Sequence, residues 1–461
     1  MDVSNVTNFS SCFSLATKFT GDVEGWDTGS ALNMSSMFLR AAVFSRDIGG
    51  WDVSNVTNFS NMFNGAAKFN KDISTWDTSS ATTMERMFVT GDNNYWSGQS
   101  GVYGISFDQD IGPKVCRRQN AVAADTEYTS WNISGVTTLK ETFAGHLQNS
   151  ASYARNIFNN GGSNSIQYWD TSGLGANGLY RTFYRNKAFN QPLTSQLVTY
   201  TNLPDYTSWD VSSVETFTQT FAYASAFNQD LDSWDTSGAT GFNATFQEAD
   251  AFDGSLSGWD VSNVTDFTSM FSGADSFTGK GLSTWNINTT ATDDVDMNNM
   301  FTQADSFKIL DSSDPNYDAT VDISGWDVSR VSNMNSMFYR ADTFNQDLSG
   351  WNTGNCTNMT SMFNEALAFD ADLGSWDLSS IPDGDGGTST AANKMIFMLR
   401  NCGISAANLS ATLVGWEASV AAGNGPINMW HRQLPITYAN LTTAGQTAYD
   451  SLVNNHGWNF S

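Results

Sequence analysis

Residues 51–75 read WDVSNVTNFSNMFNGAAKFNKDIST, and residues 1–25 read MDVSNVTNFSSCFSLATKFTGDVEG, almost the same text. Tryptophan marks the start of each copy: Trp26, Trp51, Trp76, Trp131, Trp169, Trp209, Trp234, Trp259, Trp285, Trp326, Trp351 and Trp376. The commonest spacing is 25 residues, and Met1 holds the first slot, so there are about 13 copies. A fixed period of this length marks a stacked-repeat architecture, because one unit cannot bury its apolar side chains alone.

Within a copy, Ile48-x-x-Trp51-x-Val53-x-x-Val56 fits the strand signature of a leucine-rich repeat. Trp51 and Val53 are two apart and share one strand face, leaving Asp52 and Ser54 on the other. Phe59, Met62, Phe63 and Ala66 recur at i, i+3, i+4 and i+7, the spacing of a short helix. The pattern predicts an α/β solenoid, leucine-rich-repeat-like, in which each coil has one parallel strand and a short helix or helical turn. A right-handed β-helix is the alternative. The expected core ladders include Trp26, Trp51, Trp76, Trp234, Trp259 and Trp351, with Phe38, Phe63, Phe246, Phe271, Phe69 and Phe344. As core, the tryptophans are not a sugar-stacking platform. The residue after each Trp forms an outward ladder that includes Asp27, Asp52, Asp77, Asp235 and Asp260.

Long spacings hold insertions at 89–130, 144–168, 190–208 and 308–325, so the repeat region is 1–380. Residues 381–461 form a capping segment. Phe397 reads as a last ladder phenylalanine, and Leu409, Leu413, Trp416 and Val420 predict a helix starting at Ser405. A second helix runs from a Thr cap to near Gly457. The N-terminal coil has no such cap. It is expected to be covered by upstream sequence or a neighbouring subunit.

A formal charge of −26 disfavours nucleic acid and anionic membranes, which are bound through Lys and Arg. No apolar run of membrane-spanning length exists. Cys12 and Cys356 take apolar repeat slots and read as small buried hydrophobes. Cys116 and Cys402 are either a pair or two free thiols.

Stacked coils would bring the ladder aspartates about 4.8 Å apart, so their repulsion needs relief. Hydrogen bonds from nearby Ser or backbone N–H groups are one answer, and bridging Ca²⁺ the other. Asn132, Asn286 and Asn352 in the same slot favour the first, since Asn keeps the bond without the charge. No cofactor is required. Structural Ca²⁺, if any, is expected at Asp311, Asp314 and Asp318 or at Asp383 and Asp385, although neither loop has EF-hand spacing. Tyr95, Trp96 and Tyr103, in the first insertion, are the candidates for partner contact. No zinc, serine-hydrolase or phosphate-loop motif is present, and the expectation is a non-enzyme.

FNQDLSGWNTGNCTNMTSMFNEALAF (344–369) and the 51–75 copy resemble the BspA-like leucine-rich-repeat surface proteins, built on a bacterial surface repeat of 25 or 26 residues. Residues 402–458 resemble a cap found on such proteins. The resemblance implies an extracellular or cell-surface structural or adhesion protein without catalysis. Its partners would be protein or glycan on a cell surface, or copies of itself. The alternative is a virion surface protein that recognises a host.

Overall fold

The computed structural model describes residues 1–90, 105–117, 127–145, 156–199, 204–287, 293–308, 318–383, 394–423 and 434–460. It divides into two compact units, Met1–Gly238 and Ala239–Ser461. The predicted boundary at 380 lies inside the second unit, with the cap.

In the first unit, consecutive coils stack in parallel. Asn8, Asn33, Asn58 and Thr83 form a row of single β-bridges at the eighth position of each copy. The backbone that follows bonds in two directions by turns. Phe59, Asn61, Phe63 and Gly65 donate their N–H groups to Thr83, Glu85, Met87 and Val89 of the next coil at 2.9–3.1 Å. The amides between them close tight turns at home: Met62 to Phe59, Asn64 to Asn61 and Ala66 to Phe63. The Ser60 amide is taken by Asn58 Oδ1 at 2.9 Å. In the second unit, Met334, Ser336, Phe338 and Arg340 donate to Asn358, Thr360, Met362 and Asn364 in the same way. There β5 (Val295–Asp296) and β6 (Val331–Asn333) extend the bridge row into a short parallel pair.

Two expectations are corrected. The segment with helical spacing is not a helix. Asn61 has φ +57° and Gly65 φ +70°, and the equivalent slots of most other coils are also left-handed, as at Ser336 (+55°) and Arg340 (+55°). A run of overlapping four-residue turns buries the same i, i+3, i+4 and i+7 side chains as a helix would, and apolar spacing is blind to the sign of φ. The strand is also displaced. No strand covers Trp51–Val53, and parallel pairing falls at Asn58 instead. Trp51 and Val53 still point inward, at 4% and 1% exposure.

The core is the set of aromatic ladders. Trp26, half-buried, stacks on Trp51 at 6.3 Å between ring centroids, and Trp76 on Trp131 at 6.5 Å. Each Phe63-type ring lies flat on a Phe69-type ring of its own coil, at 4.1 Å for that pair. Phe38, Phe63, Phe69, Phe246, Phe271 and Phe344 are all fully buried. Most ladder tryptophans also carry a bond. The indole N–H of Trp51 reaches Val23 O of the preceding coil at 3.0 Å, Trp76 reaches Ile48 O at 3.1 Å, and Trp351 reaches Ile323 O at 3.1 Å. Phenylalanine cannot supply that donor.

The cap is built onto the last coil. α1 (Ala406–Ala421) and α2 (Thr443–His456) are capped by the Ser405 and Thr442 side chains, and Gly457 ends α2 at φ +71°. Trp416 on α1 takes the next indole slot, bonding Leu373 O at 3.1 Å. The Thr412 hydroxyl accepts the Leu373 N–H at 2.9 Å. Burial pushes the Asp370 carboxyl up, but hydrogen bonds from Ser405 and Asn408 outweigh it and leave the acid below its usual range. Phe397 is not a ladder ring: it stands in the left-handed slot at φ +61°, over Arg400, and Leu399 fills the core position.

All four cysteines are free. Cys356 and Cys402 are buried, which pushes their thiols up to about 12 and about 11. Cys12, expected inside, is exposed, whereas Met62 in the same slot is fully buried.

Two outcomes test this packing. Trp76→Phe removes one of the two donors to Ile48 O, which keeps the Trp51 N–H at 3.1 Å, so a loss of about 0.5–1.5 kcal/mol is expected in denaturant unfolding, against about 3–5 kcal/mol for Trp76→Ala. Ser361, at φ +55°, is expected to tolerate glycine. Relief of the left-handed backbone, worth about 1–2 kcal/mol, should cancel or exceed glycine's entropy cost, so Ser361→Gly leaves Tm unchanged or raised.

Candidate functional site

The polar residues of the consensus are occupied within the scaffold. Each outward aspartate folds back on its own turn: Asp52 Oδ1 accepts the Ser54 N–H at 3.0 Å, and Asp260 that of Ser262 at 2.9 Å. Asp27 does so with Gly29, and Asp235 accepts both the N–H and the hydroxyl of Ser237; Asp77, expected outward, is buried and accepts both from Ser79. Asn132 and Asn352 make the same bond. Among the described residues no group of acids, histidines or cysteines is arranged to hold a metal ion. Asp318 caps a short turn through Thr320 N at 2.8 Å. Asp383 is the last described residue before a gap, and Asp311, Asp314 and Asp385 lie outside the described residues, as do Tyr95, Trp96 and Tyr103.

Charges that repel do occur in the second unit. Asp305 is held above the usual carboxylate range, first by desolvation and then by the neighbouring Asp342 and Asp275. A folded-state pKa above the unfolded one means that the native state binds this proton more tightly. The contribution is therefore favourable below the unfolded pKa and is lost as pH rises through the folded one. Asp305→Asn is expected to raise Tm at pH 7 and to leave it unchanged near pH 3, as read by thermal melts at the two pH values.

A cluster of paired charges lies across the coils of the first unit. Arg86 and Arg181 both meet the buried Glu141, at 3.2 and 3.8 Å, and Lys140 meets Glu85 at 3.1 Å. Arg181 lies over Tyr180 and Tyr184, and Arg185 over Tyr184 and Tyr223. The side chains of this cluster engage one another and read as packing between coils.

The insertions hold the least regular chemistry. β1 (Val115–Arg117) pairs antiparallel with β2 (Glu127–Thr129), and β3 (Gln196–Val198) with β4 (Tyr206–Ser208). The two hairpins are built alike. Tyr128 Oη donates to Thr75 O at 2.6 Å and Tyr206 Oη to Tyr168 O at 2.5 Å, each acceptor being the residue before a ladder tryptophan. Each hairpin runs into Trp131 or Trp209, held at φ +46° and +41°, whose N–H reaches Trp76 O or Trp169 O. The first is further fixed by Asp110, which accepts from Ser165 and Gly112 and pairs with Lys114 at 3.2 Å. Burial pushes the Asp110 acid up, but these partners hold it below its usual range. Between the hairpins lies a cavity of about 340 Å³, walled by Pro113 and Tyr128 on one side and Pro204, Asp205 and Tyr206 on the other. Ser79, Trp131, Asn132, Ser134 and Asp170 line the rest. The sequence reading missed this pair. The signal was the doubled string Tyr-Thr-Ser-Trp at 128–131 and 206–209, preceded by Glu127 and Asp205.

Four stretches, residues 1–96, 117–203, 194–314 and 312–395, match the family described as Mycoplasma protein of unknown function, DUF285. No curated protein and no solved structure matches the chain.

Proposed function

The chain belongs to the DUF285 family and is a repeat protein, and from that premise we propose that it is a BspA-like surface protein: a solenoid displayed outside the cell that binds protein or glycan partners, or further copies of itself, without catalysis. The observation behind this reading is the division of labour between repeat and insertion. In the repeats the ladder side chains are buried, and the recurrent Asp and Asn side chains bond within the scaffold. That leaves the hairpin insertions to present groups to a partner, as loops on a rigid frame usually do. We read the solenoid as closer to the β-helix alternative than to the leucine-rich form, because the described coils join by bridges and turns. Among the described residues no helix is long and apolar enough to cross a membrane, which fits a displayed rather than a spanning chain.

The test is localisation. Antibody against the protein, applied to intact cells of the producing organism, is expected to label them without permeabilisation. Label that appears only after the cells are opened contradicts the proposal.

A further inference from the structure

We propose that the cavity between the two tyrosine hairpins is a saccharide-binding site that takes a neutral sugar residue. The inference rests on the surface-binding reading and deepens it by naming the site and the ligand chemistry.

The volume of about 340 Å³ sits at the small end of the usual ligand range of roughly 300–1,000 Å³. That suits a short, ring-sized ligand rather than a protein surface. The walls offer two kinds of contact. Tyr128, Tyr206 and the two prolines present apolar ring surface, which fits the C–H face of a pyranose. The polar groups are hydrogen-bonding ones. Asp170 uses Oδ1 for Ser172, leaving its second oxygen as an acceptor. Asn132 uses Oδ1 for the Ser134 N–H, so its NH₂ donors are left for a ligand. Asp205 is exposed at the rim of the second hairpin. A ring edge of hydroxyls, donor and acceptor at once, matches acceptors and donors placed together.

Charge selects among ligands. The lining has two carboxylates and no Lys or Arg, so phosphate, sulfate and acidic sugars would be repelled. The site is also held in shape before any ligand arrives. Both tyrosine hydroxyls are bonded to the preceding coil, and Asp110 ties the first hairpin down. Such pre-organisation lowers the entropy lost on binding.

The experiment uses the full chain with maltohexaose, cellohexaose and chitohexaose as probes, read by saturation-transfer NMR and calorimetry. At least one is expected to bind, with Asp205→Ala and Tyr206→Ala each weakening it tenfold or more. Asp450→Asn, on α2, is expected to bind as the unaltered chain does. Circular dichroism melts check each variant. If Tyr206→Ala fails to fold, Asp205→Ala decides, since Asp205 makes no bond within the described structure. Tyr206→Phe, which keeps the ring and loses the anchoring hydroxyl, is expected to weaken binding, but by less than Tyr206→Ala does. The proposal is overturned if none of the three probes binds, or if Asp205→Ala binds unchanged. It is also overturned if hexalysine binds in their place with a steep salt dependence. Any of these outcomes with intact-cell labelling preserved removes the saccharide site and leaves the surface reading standing. Loss of labelling removes the surface reading whatever the probes do.

Discussion

One bond recurs on almost every coil: an indole N–H reaching a carbonyl of the coil before it. It is seen from Trp51 on Val23 to Trp416 on Leu373. The rest of the packing follows from that coupling. The carbonyl already holds one backbone N–H, as Ile48 O holds that of Trp51, and the indole adds a second donor from the next coil, which no other large apolar residue can supply. The ring then sets the stacking distance, and the Phe63 and Phe69 rings fill the remaining space. The cap obeys the same rule. A helix with no sequence likeness to a coil still places Trp416 where the next coil would have placed its own.

The backbone solves a related problem. Amides that a helix would use locally are shared between the home coil and the next one. Left-handed residues at Asn61 and its equivalents are what allow that alternation. Each costs about 1–2 kcal/mol in isolation, and the bonds between coils offset it. The Asn58-type and Asp52-type side chains complete the scheme by taking amides that point at neither coil. The polar half of the repeat is thus as structural as the apolar half.

The ladders, the period and the two cap helices are legible in the sequence because they depend on side-chain burial, which spacing reports directly. The turn-run at Phe59–Ala66 is not, because two backbones with opposite φ bury the same residues. The strand was misplaced from Asn58 to Trp51 for a similar reason: alternation at Trp51–Val53 reports which way side chains face, not which amides pair. Phe397 misled because its type matched the ladder while its place in the turn did not. The hairpins are not legible in the period although Tyr-Thr-Ser-Trp is written twice, because the 25-residue pattern accounts for the Trp and carries no signal of the Tyr three residues before it. In both hairpins that Tyr is the anchor, and the cavity depends on the pair.

The most direct measurement of the coupling between coils is hydrogen exchange at the indole nitrogens, resolved by nitrogen-15 NMR of the native protein. Trp26 is the internal control, since it is half-buried and its indole meets no acceptor among the described residues. The account predicts that the indole N–H of Trp26 exchanges quickly while those of Trp51, Trp76, Trp351 and Trp376 are protected to the level of global unfolding. Equal and rapid exchange at all of these indoles would contradict it.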